Sequence, residues 1–447
     1  MSKAVLGIDL GTSSVKVMLR YKTGEIVKTK QTYDEISPKG WVNAIEKAVS
    51  KLGTNDICAI GLSSQVGTYI LDEGKVISWN ENIGKDELDY IKNKYSKEEF
   101  INEISMPHPD IISYPLPRLY YIKKHFRDIK NVCQPKDYLC NILTKNYVAD
   151  KYSYRGLANL ENGKYSQRFI EELGLGEFKL PEISDFSNLA GVTVNCSFLP
   201  DNIPVYVGLN DYYSSLLGMG ITDVGDMFDI TGTSEHLGII EDKVRLDTNM
   251  VSGPYLYNNV HYGVTASAGA SLDFGMSLSE EIDIQKSLPK NPPIFLPYLN
   301  GERAPIWDSN AKGVFWGITA NTNKNNLAYS IFEGVVFSLY HIYECMGKPV
   351  GNGIKVSGGA AKSDVLNTLK AELFDTPVIT LEENDTSVLG ACIIAASGEK
   401  WYKDIEETAK AFCRIKKITN PNGNLRDILK KRFETYKTIY PAVKDIK

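Results

Sequence analysis

Asp9-Leu10-Gly11-Thr12-Ser13-Ser14, followed by Lys16, is the first run whose residue types could do chemistry. Gly11 lets the backbone come close to an anion, and the amides and hydroxyls after it can donate to phosphate oxygens. Lys16 adds a cation, and Asp9 could hold a magnesium ion through water. The same residues also suit a hairpin turn with no ligand, and the run alone leaves both readings open. Gly208-Leu209-Asn210-Asp211-Tyr212 is the second candidate. An acid that ends a strand and opens a helix can accept a proton from a hydroxyl. Asp is also a common helix cap, and residue type alone favours that reading for Asp211. Val356-Ser357-Gly358-Gly359-Ala360-Ala361-Lys362-Ser363 joins a strand to a helix through small residues. Such a loop has room for a flat ring beside the free amides of a helix start, or is simply a tight connection. In Pro297–Pro305, Glu302 and Arg303 read as a salt-bridged structural corner.

Other chemistries lack their patterns. No G-x-x-x-x-G-K-[ST] loop occurs, and no strand-linked G-x-G-x-x-G or G-x-S-x-G elbow. His108, His125, His236, His261 and His341 have no metal-like spacing.

The elements that must position these residues follow from hydrophobic period. Val5–Leu10, Val15–Tyr21 and Ile26–Tyr33 read as an antiparallel meander with a turn at Lys22-Thr23-Gly24-Glu25. A helix is expected over Ala44–Leu52, a buried strand over Ile57–Ser63, and a hairpin from Tyr69 to Trp79. Residues 85–180 are mainly helical in pattern. A strand at Pro204–Gly208 and a helix at Asp211–Met219 close the first half. The second half repeats the plan: strands from Asp226 through about Val264, a helix over Lys324–Glu344, a strand at Ile354–Ser357, and helices at Asp364–Leu373 and Ser387–Ala396. Gly-Thr-Ser recurs at Gly11–Ser13 and Gly232–Ser234, each at the mouth of a strand. With the repeated order, this suggests a duplicated α/β architecture with a boundary near residue 220.

Bulk properties set the frame. A chain of 447 residues exceeds what one core usually serves, so two domains are expected, 1–220 and 221–447. A net charge of −5 with no basic block argues against nucleic-acid or anionic-membrane partners. Seven scattered cysteines read as reduced thiols, neither a disulfide frame nor a zinc site. The apolar start is too short for a signal peptide, and no window approaches a membrane span. The expected location is the cytoplasm.

Together these phrases resemble the FGGY family of carbohydrate kinases over nearly the whole chain. Its C-terminal signature is met by Gly313, Phe315, Gly317, Ile318, Asn326, Leu327, Ser330, Ile331, Phe332 and Glu333. Leu296–Pro305 and Trp307–Phe315 are similar to the stretch that precedes it, and Lys136-Asp137-Tyr138-Leu139, Leu143-Thr144 and Asp150 to an earlier segment. The resemblance implies two actin-like, ribonuclease-H-like α/β lobes with a nucleotide and sugar cleft between them. It implies magnesium–ATP as donor and a small sugar as acceptor, with Asp211 as catalytic base. Asp9, Gly11, Thr12, Ser13 and Lys16 would form a first phosphate loop, and Gly232 and Thr233 a second. Gly358, Gly359, Ala360 and Ser363 would lie where adenosine is held. The N-terminal lobe would bind sugar and the C-terminal lobe nucleotide. Family members are often dimers, so a homodimer is expected.

The sugar side departs from the family. Xylulose kinases carry Gln-Met-His-Gly where this chain has Gln65-Val66-Gly67-Thr68, without the histidine. Their Trp-x-Asp-x-Arg becomes Trp79-Asn80-Glu81-Asn82-Ile83, without the arginine. Tyr212 stands where a smaller residue or Asn is usual, and Leu366 and Thr368 replace a Trp and a Gln, while Lys362 is retained. Gln65, Val66, Trp79, Asn80, Asp211 and Tyr212 are the expected substrate contacts. A ketopentose such as xylulose is the leading substrate, with gluconate, another polyol or a heptulose as alternatives. Two competing functions are a non-metabolic actin-like ATPase, which shares the opening Gly-Ile-Asp-Leu-Gly-Thr phrase, and a degenerate sugar-binding regulator.

Overall fold

Every residue of Ala4–Leu10 is buried, Asp9 included, and this segment forms β1 at the centre of a sheet. The computed structural model describes residues 3–106, 111–245, 249–278 and 289–446, so His108 lies outside the described residues. β2 (Ser14–Tyr21) and β3 (Ile26–Thr32) complete the antiparallel meander. α1 (Pro38–Ser50) begins before the expected Ala44, because the Ser37 hydroxyl caps Gly40 N at 3.1 Å and Pro38 suits a first helical turn. β4 (Ile57–Ser64) runs parallel to β1, and β5 (Tyr69–Leu71) opens the expected hairpin. The mainly helical stretch contains α2 (Pro115–His125) among other helices and short strands. β6 (Leu189–Val192), β7 (Pro204–Tyr206), β8 (Leu209–Asn210) and α3 (Asp211–Gly218) follow.

The second half opens with β9 (Met227–Thr231), β10 (Glu235–Glu241), β11 (Val251–Tyr255) and β12 (Asn258–Val264). Then come α4 (Lys324–Cys345), β13 (Ile354–Gly358), α5 (Asp364–Phe374), β14 (Val378–Leu381), α6 (Thr386–Gly398), α7 (Ile405–Phe412), β15 (Ile415–Thr419) and α8 (Arg426–Val443).

Strand order shows the duplication. One sheet runs β6-β7-β4-β1-β2-β3, with β8 also on β4; the other runs β11-β12-β10-β9-β13-β14-β15. In each, an antiparallel meander is joined at its first strand by a parallel partner, the ribonuclease-H-like order. The two Gly-Thr-Ser phrases occupy equivalent hairpin mouths: Gly11 N donates to Ser14 O at 3.0 Å, and Gly232 N to Ser234 O at 2.8 Å. The first unit's core gathers Ile8, Val17, Trp41 and Leu62, the second's Leu296, Phe337, Leu369 and Phe433. No helix among the described residues is long and apolar enough to cross a membrane.

The chain divides into two units, Met1–Gly220 with Asp385–Cys413, and Ile221–Asn384 with Arg414–Lys447. The expectation that 221–447 forms one domain is therefore corrected for Asp385–Cys413. The reason lies in α6, Thr-Ser-Val-Leu-Gly-Ala-Cys-Ile-Ile-Ala-Ala-Ser-Gly, which is buried on all sides and needs cover all round. It packs on β1, β4 and α3 through backbone contact. A Cβ on Gly61 would lie 1.9 Å from the Ala391 carbonyl oxygen, and one on Gly390 would lie 1.9 Å from that of Ser214. Gly390→Ala should therefore force α3 and α6 apart and destabilise the first unit by about 1–3 kcal/mol. A lowered urea midpoint followed by tryptophan fluorescence checks this, and an unchanged midpoint would refute the close contact.

Candidate functional site

Three parallel strand ends assemble the first group of candidate residues. Leu10 of β1 pairs with Ser64 of β4, and Ser64 pairs with Asn210 of β8. The next residues, Gly11, Gln65 and Asp211, thus leave the sheet side by side at its carboxyl edge, where α/β proteins bind ligands. Gln65 N donates to Leu10 O at 2.8 Å.

Asp9 lies just inside this edge. Ser63 Oγ donates to its Oδ1 at 2.8 Å and Ser387 Oγ, from α6, to its Oδ2 at 2.5 Å. Burial outweighs both hydrogen bonds and raises its pKa. Tyr33 OH donates to Gly11 O and fixes the turn. Thr12 Oγ1 accepts from Trp79 Nε1 at 3.1 Å, so an expected sugar-side residue rests on the expected phosphate loop. Ser13 is exposed in that turn. Lys16 does not extend freely from it: its ammonium is 2.7 Å from Asp385 Oδ1, and Lys28 takes the other oxygen at 2.7 Å.

Asp211 is not the helix cap that residue type favours. Asn210 is, its side-chain oxygen accepting from Tyr213 N at 3.1 Å. Asp211 Oδ1 accepts from the amide of Tyr212 at 2.8 Å. Burial, reinforced by the Asp9 carboxylate, pushes the Asp211 carboxyl up to about 7, with Arg155 pulling the other way. Arg155 was not legible as a site residue; its guanidinium lies 4.8 Å from the centre of the Tyr114 ring.

Gln65 is only 2% exposed, and its Nε2 is a buried donor without a partner among the described residues. Val66 and Tyr212 are half-buried, and Asn80 is exposed beside Trp79, whose amide donates to Thr68 Oγ1 at 3.1 Å. Arg118 of α2 reaches the same loop, Nη2 donating to Glu81 O at 3.3 Å. It is 0% exposed, burial lowers its pKa, and its Nε and Nη1 have no partner among the described residues. A buried cation with two open donors is costly, which singles out this spot.

In the second unit, Thr231 pairs with Gly358, so the Gly232-Thr233 turn and the Gly358–Ser363 loop leave neighbouring strand ends. A Cβ on Gly358 would lie 1.9 Å from Thr231 O, and Gly359 N donates to that oxygen at 3.3 Å. Ala360 is buried, and Ser363 caps α5, its hydroxyl accepting from Leu366 N at 3.3 Å. Asn367, another residue sequence reasoning missed, donates to Ala361 O at 2.9 Å. Glu302 does form a corner, but not with the Arg303 guanidinium. Its carboxylate accepts from the amides of Ala266 and Arg303 at 2.7 and 2.8 Å and from Ser338 Oγ at 3.0 Å.

Among the described residues no three His, Cys, Asp or Glu side chains are placed to hold a metal ion directly. Asp9 and Asp211 nevertheless suit a hydrated divalent cation. The Asp9 carboxylate raises the proton affinity of Asp211, so a cation would relieve that repulsion, and Asp9 keeps lone pairs beyond its two serine bonds. The raised pKa has a consequence for stability. An unfolded aspartate titrates near pH ~3.9, so ionising folded Asp211 near 7 works against the fold, and its cost is complete above that pH. Asp211→Asn should melt at a higher temperature than the parent at about pH 8, the gain fading towards about pH 4. Scanning fluorimetry across that range checks it; a constant difference would contradict the raised pKa.

Comparison with known proteins places the chain. Residues 4–218 match the model for the N-terminal domain of the FGGY family of carbohydrate kinases, and residues 228–399 match its C-terminal domain. A xylulose kinase from Staphylococcus epidermidis is 27% identical over 495 residues, spanning 100% of this chain and 98% of that protein. The fold is similar to a gluconate kinase from Lactobacillus acidophilus, with a TM-score of 0.86 at 23% identity, covering 100% of this chain and 99% of that one. It is similar also to a ligand-bound xylulose kinase from Lactobacillus acidophilus, with a TM-score of 0.85 at 24% identity and 99% of each chain covered. Matched by both domain models, the chain belongs to the FGGY family of carbohydrate kinases and is a phosphotransferase with an alcohol group as acceptor.

Proposed function

We propose that this kinase transfers the γ-phosphoryl group of ATP to a hydroxyl of a small sugar or sugar derivative, with Asp211 as general base. The observation that carries the reading is Asp211 itself. It sits beside Gly11 and Gln65 at the sheet edge, with a proton affinity lifted to about 7. A base poised there is about half ionised at neutral pH and strong enough to take a hydroxyl proton. The hydroxyl oxygen bonds to the γ-phosphorus as its proton passes to Asp211. The bond from that phosphorus to the bridging oxygen breaks, and ADP leaves. Gly11–Ser13, with Lys16, would hold phosphate oxygens in the first unit, and Gly232 and Thr233 in the second. Gly358, Gly359, Ala360 and Ser363 would lie against adenosine. Magnesium, held through water by Asp9, would neutralise phosphate charge. The seven cysteines are thiols and form no disulfide among the described residues, which supports a cytoplasmic setting.

For the acceptor, a ketopentose such as xylulose is supported by the name of the Staphylococcus epidermidis relative. A sugar acid such as gluconate is the second reading, and a specific observation favours it. Arg118 is a buried cation with open donors, and Arg155 lies within electrostatic reach of Asp211. A carboxylate would satisfy such groups; a neutral ketose would not neutralise them.

ADP release across a panel of ketopentoses, aldonates, polyols and heptuloses, with ATP and magnesium, decides between the acceptors. Asp211→Ala should lower turnover by about 10²–10⁴-fold while ATP binding stays near that of the parent. Full activity in that variant would remove Asp211 from the chemistry, and sugar binding without transfer by the parent protein would favour the regulator reading. For the parent enzyme, kcat/KM should fall about tenfold per pH unit below about 7, since only ionised Asp211 accepts the proton. A flat acid limb down to about pH 5 would contradict the assignment.

A further inference from the structure

Beneath the Gly232–Ser234 turn lies a closed charge cluster that the transfer step does not use. Asp229 of β9, Glu235 of β10 and Lys370 of α5 are each at most 2% exposed. The Lys370 ammonium contacts Asp229 Oδ2 and lies 2.7 Å from Glu235 Oε1. Thr231 Oγ1 donates to the same Glu235 oxygen at 2.8 Å. Thr231 and Glu235 are the residues on either side of the turn, so one ammonium ties together both strands that carry it. The second loop is bound into the same arrangement. Thr231 O accepts from Gly359 N at 3.3 Å, and Lys370 sits two turns along the helix that Ser363 caps. Among the described residues Asp229 Oδ1 and Glu235 Oε2 have no partner, so the cation is what reconciles two buried carboxyl groups.

We infer that Lys370 is a positioning residue for nucleotide binding, holding the Gly232–Ser234 turn and the Gly358–Ser363 loop in one fixed geometry from below. The inference rests on reading those loops as the nucleotide site. It follows from geometry that only Lys370 completes. Without its ammonium, the group that bridges Asp229 of β9 to Glu235 of β10 under the turn is lost. The strand ends then part, and the amides that would face phosphate lose their alignment. Lys370 touches no reacting atom, so its loss should weaken ATP capture and spare the chemical step.

Titration calorimetry with ATP and steady-state kinetics on the full chain test this. Lys370→Met should weaken ATP affinity and raise its KM about tenfold or more. The kcat at saturating ATP and the KM for sugar should stay within about twofold, and Lys370→Arg should recover most of the affinity. If Lys370→Met folds poorly, Asp229→Asn combined with it removes one of the opposed charges. Burial and Glu235 already favour the protonated form of Asp229, so an amide fits there. That double variant should fold and still bind ATP weakly. Gly232→Val serves as reference, because a Cβ at Gly232 would make only an ordinary 3.5 Å contact with Ser234 O. If Gly232→Val leaves ATP affinity unchanged, the nucleotide reading falls and the inference falls with it. If Gly232→Val weakens binding but a folded Lys370→Met, or the double variant, binds ATP like the parent, the inference alone falls.

Discussion

Much of the first unit depends on one backbone contact, the seating of α6 against β1, β4 and α3 with no side chain between. Gly7, Gly61, Gly218 and Gly390 make this approach possible, because a Cβ on any of them would lie within 2.5 Å of a backbone carbonyl oxygen. The consequences reach the site directly. The start of α6 brings Ser387 Oγ to Asp9 and its backbone carbonyl to Ser214 of α3, the helix that Asp211 opens. The residue just before α6, Asp385, takes the Lys16 and Lys28 ammoniums. A segment nearly the whole chain away in sequence thus fixes the acid, the cation and the helix bearing the candidate base. A slip of α6 would disturb all three together, since interiors at this packing density deform little.

The same contact separates the tasks of two neighbouring carboxylates. Asp9 has a serine hydroxyl on each oxygen, so its place and orientation are fixed. Asp211 accepts from the amide of its own successor, and its high proton affinity comes first from burial and then from Asp9. Two acids whose surroundings differ in this way divide naturally into a fixed charge and a proton acceptor. That asymmetry, which residue type alone cannot supply, supports the proposed division of base to Asp211 and ion holding to Asp9.

What the sequence disclosed, and what it withheld, follows the range of the forces involved. Meander strands and the buried strand beside them are written in local period and turn chemistry, and those readings locate the strand ends where Gly11, Gln65 and Asp211 emerge. Asn210 rather than Asp211 as the cap was within reach, since both types cap well and only the position of the first helical turn separates them. The return of Asp385–Cys413 to the first unit was not legible, because contiguity in sequence is the default and only the all-round apolar character of α6 hinted otherwise. Arg118 and Lys370 were hidden for another reason. A single cation on a helix is normally a solvated face, and nothing local shows that tertiary packing has closed over it.

The two halves share a plan yet treat charge under their hairpin turns in opposite ways. In the first unit the Asp9 carboxylate stands at the sheet edge with a serine hydroxyl on each oxygen. In the second, the carboxylates below the turn are closed off by Lys370 and kept from solvent. A negative centre near the first turn would repel a bare phosphate but suits one accompanied by a divalent cation. An underside that includes an ammonium opposes phosphate at the amides of the second turn less than bare carboxylates would. Duplication supplied two equivalent turns, and they diverge in the buried charge beneath them. On this view Lys370 matters less for its own attraction to nucleotide than for tying β9 to β10 beneath the turn.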